Sequence, residues 1–123
     1  MNVLVTDDDE MTRLIYRGIL AQFPQLKVNF AASTQEFHQL ARKHRFDVIF
    51  LDCDLGDQCE NGLDLLRWIR CHHQNTQVFM ATSHCDTAFR QRCAELGATG
   101  LIPKHSDFVE KLSRTIEADL TAA

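Results

Sequence analysis

Two rhythms alternate along this chain. Short apolar runs are each followed by a stretch in which apolar positions recur every three or four residues. Val3–Val5 is the first run and leads into the acidic string Asp7-Asp8-Asp9-Glu10, which predicts a buried strand ending at a polar edge. Met11, Leu14, Ile15, Gly18 and Ile19 then share one helical face, and Pro24 closes that segment. Leu26, Val28 and Phe30 alternate with polar residues, as a half-buried edge strand does. Ser33 and Glu36 fit a capping box, with Phe37, Leu40, Ala41 and His44 on the inner face of the helix it opens. Val48–Leu51 is apolar without interruption, a strand buried on both faces, and runs straight into Asp52.

The rhythm continues after a loop from Cys53 to Asn61. Gly62 opens a helix whose Leu65, Leu66 and Ile69 face inward. Val78–Ala81 is the next strand and ends at Thr82 and Ser83. Phe89, Cys93 and Leu96 line a fourth helix, which Gly97 stops. Leu101 and Ile102 form a short fifth strand ending at Pro103-Lys104, and a strand proline belongs on a sheet edge. Asp107 and Glu110 suit the start of a last helix carried by Phe108, Val109, Leu112, Ile116 and Leu120. Strand and helix thus alternate five times. This predicts one α/β domain over residues 1–123, a parallel sheet covered on both faces. The first, third and fourth runs are the most apolar, so the doubly wound order 2-1-3-4-5 is expected, with the second and fifth strands at the edges.

Composition narrows the function. Hydrophobic residues at 45% and charged residues at 24% exclude a disordered chain. A net charge of −4 argues against non-specific nucleic-acid binding. No stretch is long and apolar enough to span a membrane, and no basic leader precedes Val3, so a cytoplasmic protein is expected. The five cysteines include no CxxC pair and read as free thiols, and neither they nor the six histidines have zinc-ligand spacing.

Ligands of an open α/β sheet bind beyond the carboxyl ends of its strands. There the first strand presents Asp7, Asp8 and Asp9, the third Asp52 and then Asp54, the fourth Thr82 and Ser83, the fifth Lys104. Each has a plain structural reading as well. Asp8 or Asp9 could cap the first helix, Thr82 or Ser83 the fourth, and Lys104 could be a solvated charge. Together they make a different set. Carboxylates gathered from two strands need a cation, and an all-oxygen set suits Mg²⁺. A carboxylate can accept a phosphoryl group, while a lysine, a metal and a hydroxyl stabilise the charge on its oxygens.

On these residues the chain resembles the receiver domains of two-component response regulators over essentially its whole length. The pieces are Val3-Leu4-Val5-Thr6-Asp7-Asp8-Asp9-Glu10, Val48-Ile49-Phe50-Leu51-Asp52, Thr82-Ser83, Gly97-Ala98-Thr99-Gly100 and Lys104, in the family's order. The resemblance implies a flavodoxin-like (βα)5 fold. It makes Asp52 the phosphoacceptor, with Asp7, Asp8, Asp52 and the backbone carbonyl of Asp54 around Mg²⁺. It has Thr82 swing to hydrogen-bond the phosphoryl group and Lys104 pair with a phosphoryl oxygen. Asp54, Ser83 and His84 would tune the lifetime of the phosphorylated state. The implied partners are a histidine kinase or histidine phosphotransfer protein, and a second copy through the face of helix four, strand five and helix five.

Three departures from the family pattern stand out. Gly56 and Gly62 replace the usual proline and glycine after the acceptor, so the loop carrying Asp57 and Glu60 is longer. His105 follows Lys104 where the family often has a cis proline. A cis bond to a non-proline costs about 3 kcal/mol, so a trans bond is expected. Leu101 occupies the switch position that is usually aromatic. Two rival readings are a scaffold that keeps the fold without phosphotransfer and, from Asp52-Cys53-Asp54, a phosphatase of the haloacid-dehalogenase type. The second is disfavoured because that motif follows the first strand in those enzymes.

Overall fold

The structure is a computed structural model that describes residues 1–53, 61–83 and 86–120. Asp54, Gly56, Asp57, Glu60 and His84, named above, and two of the five cysteines, Cys59 and Cys85, lie outside the described residues. Strands β1 (Asn2–Thr6), β2 (Lys27–Ala31), β3 (Val48–Asp52), β4 (Gln77–Thr82) and β5 (Gly100–Pro103) form one parallel sheet in the order β2-β1-β3-β4-β5. Helices α1 (Glu10–Leu20), α2 (Thr34–Lys43), α3 (Gly62–His72), α4 (Thr87–Glu95) and α5 (Phe108–Thr115) connect and follow them, and α5 runs on as a π-helical turn over Ile116–Leu120. The topology is the one predicted.

Side chains alternate across a strand, so the sheet has two inner faces. Val3, Val5, Val48, Phe50, Phe79, Ala81 and Ile102 pack with Tyr16, Ile19, Leu112 and Ile116 of α1 and the C-terminal helix. Leu4, Ile49, Leu51, Val78 and Met80 pack on the other side with residues of α2, α3 and α4. The three central strands are therefore covered on both faces, which is why their sequences are continuously apolar.

Several predicted faces move. In α1 the buried residues are Tyr16, Ile19 and Leu20, whereas Met11 (66% exposed), Leu14 (51%) and Gly18 face solvent. The helix is rotated so that its one aromatic ring, Tyr16, packs between Phe50 and Phe108, tilted to the first and edge-on to the second. His44 is the exposed C-cap of α2, not part of its inner face. Val109 is likewise exposed. Of the predicted α4 face only Cys93 is buried, with Phe89 and Leu96 half-buried.

The helix starts are specific. Asp9 caps α1, accepting from the Thr12 N–H. Ser33 accepts from Glu36 N–H as predicted, but Glu36 reaches back to the N–H of Ala32, one residue earlier than a capping box requires. The complete box is on α3, where Asn61 and Asp64 exchange side-chain and backbone bonds. Asp86 caps α4, so neither Thr82 nor Ser83 does. Asp107 precedes α5 without a capping bond and pairs with Lys111 at 3.3 Å instead. Gly97 ends α4 with φ of 99°, a conformation that requires glycine.

Candidate functional site

The same alternation decides which side chains meet at the carboxyl edge. Asp7 continues the parity of Val3 and Val5, Asp52 that of Val48 and Phe50, and Lys104 that of Ile102. All three belong to the α1–α5 face and converge. The Lys104 Nζ lies 2.8 Å from Asp7 Oδ2 and 3.0 Å from Asp52 Oδ1. Asp7 is 1% exposed and Asp52 5%. Lys104 is thus no solvated surface charge. Burial works against its ammonium, but the hydrogen bond and charge of Asp7, followed by the charge of Asp52, raise its pKa above the ordinary lysine value.

Asp7 is held from several directions. Its Oδ1 accepts from Asp9 N–H at 2.9 Å, its own N–H donates to Ala31 O at 3.1 Å, and its carbonyl accepts from Arg13 at 2.8 Å. The adjoining Asp8 is exposed. One oxygen from each of Asp7, Asp8 and Asp52 lies within 4.8 Å of the others. Three hard oxygen donors, two buried and one open to solvent, fit the donor set and partial hydration that Mg²⁺ prefers.

Thr82 is 2% exposed, and its carbonyl accepts from Lys104 N–H at 2.7 Å, tying the ends of β4 and β5 together. Its parity is that of Val78 and Met80, so its side chain belongs to the α3–α4 face, opposite the acids. Ser83 is exposed. Leu101 is half-buried against the α2–α4 cluster. The Lys104–His105 peptide is trans, as expected, and the lysine still reaches both acids.

The family model described as "Response regulator receiver domain" matches residues 3–116. The chain belongs to the response regulator receiver domain family. The receiver domain is 33% identical over 105 residues to the sensory transduction protein LytR of Staphylococcus saprophyticus, covering 85% of this chain and 40% of LytR. It is 28% identical over 105 residues to the response regulator UvrY of Escherichia coli, covering 85% of this chain and 47% of UvrY. The chain therefore spans about half or less of the length of these curated relatives. Among solved structures, the chemotaxis response regulator CheY4 of Vibrio cholerae is similar with a TM-score of 0.80 and 29% identity, over 94% of this chain and 95% of that one. The Mn²⁺-bound response regulator Rcp1 superposes with a TM-score of 0.88 at 13% identity, over 99% of this chain and 96% of that one, a likeness of fold.

Residues that sequence reasoning passed over also shape the receiver domain's site. Tyr16 lies buried beneath it. Burial, then the charges of Asp7 and Asp52, push its phenol well above the usual range. Arg13 fixes the Asp7 backbone. Gly62 abuts the backbone of Asp52. Cys53 packs against the cluster of the α2–α4 side, to which Cys93 belongs. A helical stripe centred on Tyr16 was legible in the sequence, but none of the other contacts has a sequence signal.

Proposed function

We propose that this receiver domain accepts a phosphoryl group on Asp52 from a histidine kinase or histidine phosphotransfer protein, and that the modification switches a partner-binding surface. The observation that carries this reading is the convergence of Asp7, Asp8 and Asp52, two of which pair with Lys104. A carboxylate oxygen of Asp52 is the nucleophile. Asp7, Asp8 and Asp52 would hold Mg²⁺, with the Asp54 carbonyl, outside the described residues, as a further donor carried by family resemblance. When bound, that ion supplies positive charge to the phosphoryl oxygens.

This chain's own groups do the rest. Lys104 releases Asp52 to pair with an oxygen of the incoming phosphoryl group, its ammonium being charged throughout the physiological range. Thr82 turns its hydroxyl toward that group, and the turn is transmitted along α4, β5 and α5 to a surface that docks a partner or a second copy. Leu101 stands at the switch position, and Asp54, Ser83 and His84 flank the path of attacking water. The reading places the protein in the cytoplasm with no direct contact to nucleic acid. Among the described residues no helix is long and apolar enough to cross a membrane.

The test is intact mass after incubation with acetyl phosphate and Mg²⁺, with Asp52→Asn in parallel. One added phosphoryl group on the wild type alone is the expected result. No adduct on the wild type, with either acetyl phosphate or a phosphorylated histidine donor, would overturn the reading and favour a scaffold.

A further inference from the structure

Strand β2 ends the sheet and pairs only with β1. Lys27 N–H donates to Met1 O at 2.9 Å, and Ala31 O accepts from Asp7 N–H at 3.1 Å. Backbone groups alternate in direction along a strand. Lys27, Asn29 and Ala31 therefore turn theirs toward β1, while Val28 and Phe30 turn theirs outward from the edge. Side chains alternate between the two faces as well. Val28 and Phe30 pack against the α1–α5 cluster, and Ala31 lies in the α2–α4 cluster, so Lys27 shares the α2–α4 face.

A groove flanks this edge on each face, and Phe30 lines both. The groove beside α1, of about 200 Å³, is walled by Leu20, Phe23, Leu26, Val28 and Phe30. Arg17 stands at its rim, 4.7 Å above the Phe30 ring. The groove beside α2, of about 270 Å³, is mixed, with Lys43, Gln39 and Glu36 around Leu40. Glu36 already accepts from Ala32 N–H. Arg17, Lys27 and Lys43 are exposed and form no ion pair among the described residues. In a chain of net charge −4, the β2 edge is thus a locally cationic strip with outward-facing backbone donors and acceptors.

We infer that the β2 edge takes up an extended peptide segment of a partner protein as a sixth strand, one in which apolar residues alternate with acidic ones. Main-chain pairing with Val28 and Phe30 supplies the affinity, and the two grooves read the alternate side chains. Apolar side chains of the segment fall beside Val28 and Phe30, over the groove walled by Leu20, Phe23 and Leu26. Its acids fall on the other face, beside Lys27 and Lys43. Charge complementarity selects this occupant. A basic segment meets uncompensated cations, and a second copy of the chain would bring its own Lys27 and Arg17 to the same edge. The inference goes beyond the phosphoacceptor reading and does not depend on it, because no side chain of the Asp7, Asp52 and Lys104 site takes part.

The test follows amide hydrogen exchange of the full chain by NMR. The probe is a short end-blocked peptide of alternating valine and glutamate, and its control alternates valine and lysine. In the free protein Asn29 and Ala31, bonded to β1, are expected to exchange slowly, and Val28 and Phe30 fast. The glutamate peptide should protect Val28 and Phe30, and the lysine peptide should leave them fast. Lys27→Glu combined with Lys43→Glu should weaken binding of the glutamate peptide by about tenfold. Val28→Pro removes an outward N–H and no bond to β1, so binding should be lost while Asn29 and Ala31 stay slow. Fast exchange at Val28 and Phe30 in millimolar glutamate peptide, or equal protection by the lysine peptide, would sink the inference. So would protection that rises with protein concentration in the absence of peptide, which assigns the edge to a second copy.

Discussion

A β-carbon placed on Gly62 would lie 2.5 Å from the carbonyl oxygen of Asp52 and 2.7 Å from the Cα of Cys53. Both neighbours are backbone atoms and cannot swing aside. The first residue of α3 is thus pressed against the strand end that carries the proposed acceptor, with Gly62 N–H donating to Cys53 O at 3.4 Å. Gly62→Ala is expected to cost about 1–3 kcal/mol in urea unfolding and to slow phosphoryl uptake. Gly18, whose β-carbon would meet nothing within 4 Å on the exposed side of α1, is the control. Gly18→Ala should stabilise by about 0.5–1 kcal/mol. Equal effects at the two sites would disprove the crowding argument.

Lys104 is the cation that the described residues place between Asp7 and Asp52. Lys104→Met would remove the ammonium that pairs with both buried carboxylates. A loss of about 2 kcal/mol is expected when stability is measured in EDTA. Added Mg²⁺ should recover more stability in the variant than it adds to the wild type. An identical Mg²⁺ response in both proteins would mean that the lysine acts through packing rather than charge.

Thr6 ends β1 in the middle of the sheet, and its Oγ1 is buried with no hydrogen-bond partner among the described residues. An unsatisfied hydroxyl keeps its desolvation penalty and gains nothing in return. Thr6→Val, which keeps the shape and removes the polar atom, should stabilise the fold by about 1 kcal/mol, visible as a higher Tm. A lower Tm would show that the hydroxyl has a partner in solution.

His73 closes α3, and its N–H donates to Ile69 O at 2.6 Å. Burial first, then the nearby Arg45 and His72, holds its pKa below the ordinary histidine value. The unfolded chain therefore takes up a proton at a higher pH than the folded one. Stability is full above the unfolded value and is lost as pH falls through the folded one. Between pH ~7 and pH ~5, the wild type should lose more Tm than His73→Asn. Equal losses would place the acid sensitivity elsewhere.

The strand order and the acceptor edge were legible before any coordinates. Continuous apolar runs mark strands buried twice over, and parallel order follows from helices between them. That argument put Asp7, Asp52, Thr82 and Lys104 at one edge. Helix faces were less legible. Met11 and Leu14 fit an apolar stripe as well as Ile15 and Ile19 do, yet α1 turns so that Tyr16 meets Phe50 and Phe108. Periodicity identifies a stripe, but the ring that fills the space beneath it decides the rotation.

The sequence by itself determined the fold and which residues stand at the carboxyl edge of the sheet, because local hydrophobic pattern and chain connectivity leave few ways to bury these runs. Only the tertiary structure decided how the site is arranged. It joined Lys104 to Asp7, 97 residues away in the chain, and to Asp52. It pressed Gly62 against the backbone of Asp52. Those contacts arise between segments distant in sequence, through strand parity and side-chain volume, and no local pattern encodes a distance between two such segments.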